Sequence, residues 1–81
     1  MVHIKMYYKP MCWLCDMAQD QLNGLTLKYD LKVQRVNIDD DEDLYELYRF
    51  DIPVLEFRDG TTLNGRIKKA ALLEAINANK E

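Results

Sequence analysis

Tyr8-Lys9-Pro10-Met11-Cys12-Trp13-Leu14-Cys15 decides the reading of this chain, because a strand pattern ends on its left and a helix pattern begins on its right. To the left, His3 to Tyr8 (HIKMYY) is apolar or β-favouring at most positions. It stops at Lys9-Pro10, where proline cannot continue a ladder, so it reads as a buried first strand. To the right, Leu14, Ala18, Leu22 and Leu25 recur at spacings of four, four and three, while Asp16, Gln19, Asp20 and Asn23 fall elsewhere. That is the period of a helix with one apolar face, and Gly24 marks a weak point or an early end of it.

Working outward, Leu31 to Ile38 (LKVQRVNI) is rich in β-branched residues and reads as a second strand. The acidic run Asp39 to Asp43 then opens a short helix, since an aspartate cap and acids in the first turn complement the helix dipole. Leu44, Leu47 and Tyr48 would give this helix its apolar face. The run lacks the spaced oxygen ligands, central glycine and distal glutamate of a calcium loop, so it is a solvated face. Val54 to Arg58, Asp59-Gly60, and Thr61 to Gly65 form a hairpin signal suited to a tight primed turn. From Ile67 the tail carries Ala71, Leu72, Leu73, Ala75 and Ile76 as a helical stripe. The order βαβαββα predicts an α/β fold: two parallel strands joined by a right-handed crossover, a hairpin added to the same sheet, and helices on both faces.

The chemistry lies in Cys12 and Cys15. Unpaired backbone N–H groups and the positive end of the dipole at a helix start stabilise a thiolate, and Cys12 is the residue so placed. A thiolate there attacks a partner's disulfide, and Cys15, nearly one turn on, resolves the mixed disulfide. The competing readings are inert thiols or part of a zinc site. Structural zinc wants four ligands, and beside the two cysteines the chain offers only His3, which reads as a strand residue. No metal is expected. Lys9 either adds positive charge near the thiolate or is solvated. Trp13 either offers partners an apolar surface or packs on the domain's own flank. Ile52-Pro53 precedes the third strand, and on base rates its peptide bond is trans.

The bulk properties bound the rest. At 81 residues one domain (1–81) is expected, because a chain of about 60 residues buries only about 60% of its unfolded surface and cannot divide its core. A net charge of -3 and a pI near 5.1, with scattered lysines, exclude a general nucleic-acid binder. No apolar run reaches the roughly 20 residues that span a bilayer, and Met1 to Pro10 lacks the features of a secretory signal, so a cytoplasmic monomer is expected. Two cysteines this close are a poor disulfide staple.

The stretch Tyr8 to Cys15, the Ile52-Pro53-Val54 step and the order of elements together resemble the glutaredoxin-like branch of the thioredoxin superfamily, over the whole chain. Cys12 to Asp16 (Cys-x-Leu-Cys-Asp) and Pro53 to Leu55 look most like its short bacterial glutaredoxin-like members. The resemblance implies a sheet order of 2-1-3-4, with the first and last helices on one face and the short helix on the other. It implies that Pro53 is cis and packs across from the cysteines. It also implies that the backbone of Ile52 pairs with an extended substrate segment, and that Lys9 matches a lysine near the active site. The expected activity is dithiol exchange with disulfide-containing proteins, reduced in turn by glutathione or a flavoprotein reductase, with no tightly bound cofactor.

One departure concerns glutathione. Glutathione-using glutaredoxins carry a Gly-Gly-x-Asp type step after the fourth strand, where this chain has Asn64-Gly65-Arg66-Ile67-Lys68. The acid is missing, which leaves Gly65 with open backbone donors, and Arg66 or Lys68, as the groups for a tripeptide's carboxylate. A reading from a different class is a redox-silent module of the same fold that docks partners on Met11, Trp13 and the Pro53 loop.

Overall fold

The expected strands pair in the expected order. The computed structural model describes residues 1–80 and places strand β1 (Val2–Tyr8) beside β2 (Leu31–Asn37) and β3 (Val54–Phe57), with β4 (Thr62–Asn64) outermost, giving β2-β1-β3-β4. β1 runs parallel to β2, from Val2 against Leu31 to Tyr8 against Asn37, and antiparallel to β3, with Tyr7 opposite Val54. Helix α1 (Trp13–Tyr29) makes the parallel crossover, α2 (Glu42–Tyr48) precedes β3, and α3 (Lys69–Ala78) closes the chain.

The alternation of side chains along β1 and β3 sorts the core onto the two sheet faces. Val2, Ile4, Met6, Leu55 and Phe57 pack with Cys15, Ala18 and Leu22 of α1 and with Leu72, Ala75 and Ile76 of α3. Tyr7 and Val54 face the other way, with Ile38 and the half-buried Leu44, Tyr45 and Tyr48 of α2. Tyr7 stacks on Tyr48 with ring centroids 4.6 Å apart. Each fully buried side chain of this kind contributes about 1.5–3 kcal/mol.

Four local expectations change. α1 runs through Gly24 without a break. Gly24 is exposed, and its cost of about 1 kcal/mol in a helix interior is offset by Leu22 and Leu25 on either side, which pack into the core. The helix stops instead at Asp30, whose φ of 52° is left-handed and whose N–H reaches back to the Thr26 carbonyl. Ile38 leaves the second strand for a one-turn 3-10 segment, Ile38–Asp40, yet is fully buried. On α2, capped by Asp41 as its acidic start suggests, Leu47 points to solvent, 62% exposed, and Tyr45 takes its place on the inner face.

The fourth change is in the hairpin. The Gly60 N–H donates to the Phe57 carbonyl (3.0 Å) and the Phe57 N–H to that of Thr61 (2.9 Å), so Arg58 and Asp59 form the turn. Asp59 does not take the positive φ that a primed turn demands, and Gly60, at φ 90°, supplies the bulge of a three-residue loop. Among the described residues no helix is long and apolar enough to cross a membrane.

Candidate functional site

The loop from Lys9 to Cys12 leaves the C-terminal end of the central strand and turns directly into α1. Met11 makes the turn at φ 64°, a left-handed conformation that costs a non-glycine residue about 1–2 kcal/mol. Its side chain is fully exposed. Cys12 follows as the N-cap, extended at φ -109° and ψ 106°. Its carbonyl accepts the first helical hydrogen bond from the Asp16 N–H (3.0 Å), and its Sγ accepts the Cys15 N–H at 3.2 Å. A sulfur thus occupies the position where a capping serine or aspartate oxygen would sit, facing donors that the helix leaves unpaired.

The two thiols, both free, differ sharply in setting. Cys12 is half-buried at the mouth of the loop, whereas Cys15 is 3% exposed and packs in the larger core cluster. Burial pushes the Cys15 thiol up to about 12. Its hydrogen bond with Cys12 and the nearby charges of Cys12 and Asp16 add to the rise, while a hydrogen bond from the Lys9 backbone opposes it. The buried thiol is held neutral beside a partner that faces helix donors.

Pro53 is cis and buried, as the resemblance implied and base rates did not. Because Tyr7 pairs with Val54, Pro53 lies at the same end of the sheet as the cysteine loop. The Ile52 side chain packs against both core clusters, while its backbone N–H and carbonyl have no hydrogen-bond partner among the described residues. Trp13 is 61% exposed, and the Arg66 guanidinium lies over its ring, 5.3 Å from the centroid.

Two site expectations are corrected. The Gly65 N–H is not open: at φ 65°, it donates to the carbonyls of Asp51 (3.1 Å) and Pro53 (3.0 Å), tying the end of β4 to the cis-proline loop. The Lys9 ammonium does not lie against the cysteines but over the Tyr45 ring at 5.7 Å, in a hollow with Asp39, Glu42 and Glu46. What Lys9 brings to the pair is its backbone. The Tyr45 ring of α2 takes the cation, which spacing along the chain could not reveal. His3 lines a separate hollow with Lys5, Lys32 and Glu56, and no three His, Cys, Asp or Glu side chains gather as a metal cage among the described residues.

Sequence reasoning missed Phe50, which stands 84% exposed just before the Ile52-Pro53 step with the Arg49 guanidinium 4.5 Å from its ring centroid. Its only signal was an aromatic residue beside an arginine in a loop.

A model of the glutaredoxin-like domain (DUF836) matches residues 3–77. The chain belongs to the glutaredoxin-like domain family. Solved structures share its fold. A structural-genomics target protein from X. campestris is 28% identical with a TM-score of 0.80, the match covering 93% of this glutaredoxin-like domain and 96% of that chain. A protein from Nitrosomonas europaea solved by solution NMR is 25% identical at a TM-score of 0.75, over 99% of this chain and 92% of that one. A mutant thioredoxin from Halobacterium salinarum, also 25% identical, has a TM-score of 0.77 over 99% of this chain and 75% of its own. No curated protein matches the chain.

Proposed function

We propose that this glutaredoxin-like domain is a dithiol thiol-disulfide oxidoreductase that reduces disulfides in other proteins. The observation that carries the reading is the asymmetry of the pair: an accessible Cys12 Sγ capping α1, and a buried, neutral Cys15 whose own N–H points at that sulfur 3.2 Å away. Cys12 attacks as thiolate. A bond forms between Cys12 Sγ and one partner sulfur as the partner's S–S bond breaks, and the other partner sulfur leaves as a thiolate and takes up a proton.

Once Cys12 is in the mixed disulfide, its charge and its hydrogen bond no longer hold the Cys15 proton, so two of the causes that raise Cys15 fall away. Cys15 then gives its proton to the departing partner sulfur and attacks Cys12 Sγ. The Cys12–Cys15 bond forms and the second partner thiol is released. Two electrons pass from the pair to the partner, with one proton supplied by Cys15 and one by solvent. The unpaired backbone of Ile52, beside cis Pro53, serves as the strand edge for the partner's extended segment.

A second donor system must return the two electrons. The engaged Gly65 N–H removes one of the two supports for a bound glutathione, so a flavoprotein reductase is the source we favour. The experiment is reduction of insulin or of a glutathione mixed disulfide by wild type, Cys12→Ser and Cys15→Ser. Cys12→Ser abolishes reduction, and Cys15→Ser stalls as a covalent mixed disulfide. Unchanged reduction by Cys12→Ser would refute the reading. Survival of partner binding in the double serine variant, with no thiol reactivity in wild type, would favour the docking module, whose support is the exposure of Met11 and Trp13.

A further inference from the structure

Arg66 spans the two elements that a partner's chain would touch. Its backbone follows Gly65, whose N–H is held by the carbonyls of Asp51 and Pro53, so it is anchored to the cis-proline loop. Its guanidinium lies over Trp13, one of the two residues between the cysteines, 5.3 Å from the ring centroid. Both side chains are exposed. Among the described residues Arg66 makes no ion pair: neither Asp16 nor Asp51, the mouth's own acids, meets it.

A guanidinium lying over an indole face is weakly hydrated and gains cation–π attraction, and it keeps its edge N–H donors in a fork that matches a carboxylate. An unpaired, oriented cation at the mouth, in a chain of net charge -3, is suited to select its partner by charge.

We infer that Arg66, oriented by Trp13, is a specificity residue: the disulfides this protein reduces lie in extended segments that carry Asp or Glu beside the attacked cysteine. The inference rests on the dithiol reading above. It sets Arg66 in contact with the substrate's flank, not with the reacting sulfurs. The planar guanidinium supplies a fork of donors, so a lysine at this position keeps the charge and loses the fork.

The test uses three synthetic peptides, each closed by one disulfide and differing only in the residue next to one cysteine: Asp, Asn or Lys. Single-turnover rate constants with pre-reduced protein require no reductase. For wild type at low salt, the Asp peptide is reduced about threefold faster than the Asn peptide and about tenfold faster than the Lys peptide, in line with one exposed charge contact made or opposed. The preference collapses at about 0.5 M salt, where the Debye length falls to a few ångströms. In Arg66→Gln the Asp-to-Lys ratio falls to near one, and in Arg66→Lys it is intermediate.

Because each ratio is taken within one variant, a general loss of activity cancels. Equal rates for all three peptides with wild type, or an unchanged ratio in Arg66→Gln, would overturn the assignment while leaving the dithiol reading intact. Failure of wild type to reduce any of the peptides would instead remove the dithiol reading and the assignment with it.

Discussion

Replacing Cys12 with serine leaves Cys15 as the single thiol of the folded chain, and its setting dictates how slowly it is alkylated. With its thiol pushed up to about 12, Cys15 is thiolate in about one molecule in 30,000 at pH 7.5, against about one in ten for a free cysteine near pKa 8.5. That is a deficit of about 3,000-fold. A more basic thiolate is also a better nucleophile, and a Brønsted slope of about 0.4–0.5 over this range returns about 40-fold. The net is about 80-fold slower reaction. Loss of the Cys12 hydrogen bond and charge in the variant eases the shift, so the expected rate is about 10- to 80-fold below that of a free thiol, before any steric screening by the core.

The assay is iodoacetamide labelling of reduced Cys12→Ser, followed by mass spectrometry from pH 7 to 10, with the guanidinium-unfolded chain as the internal standard for a free thiol. The rate should climb nearly tenfold per pH unit across the window in the folded variant and level off near pH 9 in the unfolded one. Equal rates for the folded and unfolded chains at pH 7.5 would refute the claim that burial holds Cys15 neutral, and with it the division of roles between the two cysteines.

Other consequences can be checked separately. Because Cys15 is raised in the folded state, its contribution to stability is complete below about pH 9 and is lost as pH rises toward about 12. The reduced wild type therefore loses up to about 1.4 kcal/mol per pH unit in that window, relative to Cys15→Ala, in urea titrations; parallel curves for the two proteins would contradict this. Asp41 Oδ1 accepts the N–H groups of Asp43 (2.9 Å) and Leu44 (3.2 Å), so Asp41→Ala should cost about 0.5–2 kcal/mol and lower Tm by several degrees, while Asp40→Ala should leave Tm nearly unchanged. Leu22 is fully buried between α1 and the sheet; Leu22→Ala should cost about 2–5 kcal/mol, a large share of the roughly 5–15 kcal/mol available to a whole domain, and shift the urea midpoint accordingly.

The residues made most of this fold legible. Runs of β-favouring residues, the Asp-Gly turn signal, an acidic helix start and period-3.6 patterns placed all four strands and three helices, because these are local preferences that the packed elements keep. Errors arose where a local preference was outweighed by packing. Gly24 reads as a stop, but core contacts from Leu22 and Leu25 carry the helix past it. Asp59-Gly60 reads as a two-residue turn, yet the hydrogen bonds of Phe57 and Thr61 set a longer loop.

At the site, Cys12 and Cys15 were legible because their chemistry depends on where a strand ends and a helix starts, and both are local facts. Cis Pro53 came from family resemblance, since nothing within Ile52-Pro53 itself departs from the trans default. The bond from Gly65 to Asp51 and Pro53, the seating of Lys9 over Tyr45, and the placing of Arg66 over Trp13 join residues distant in sequence. No periodicity encodes such contacts.

The most direct test of the central claim is equilibration of the protein in graded mixtures of reduced and oxidised glutathione, with the free thiols counted by mass after trapping at each ratio. A single two-electron transition is expected, in which Cys12 and Cys15 lose their thiols together, at a potential between about -270 mV and about -120 mV, the span of thioredoxin-type dithiols. Thiols that stay reduced across the whole range, or that are lost one at a time, would contradict it.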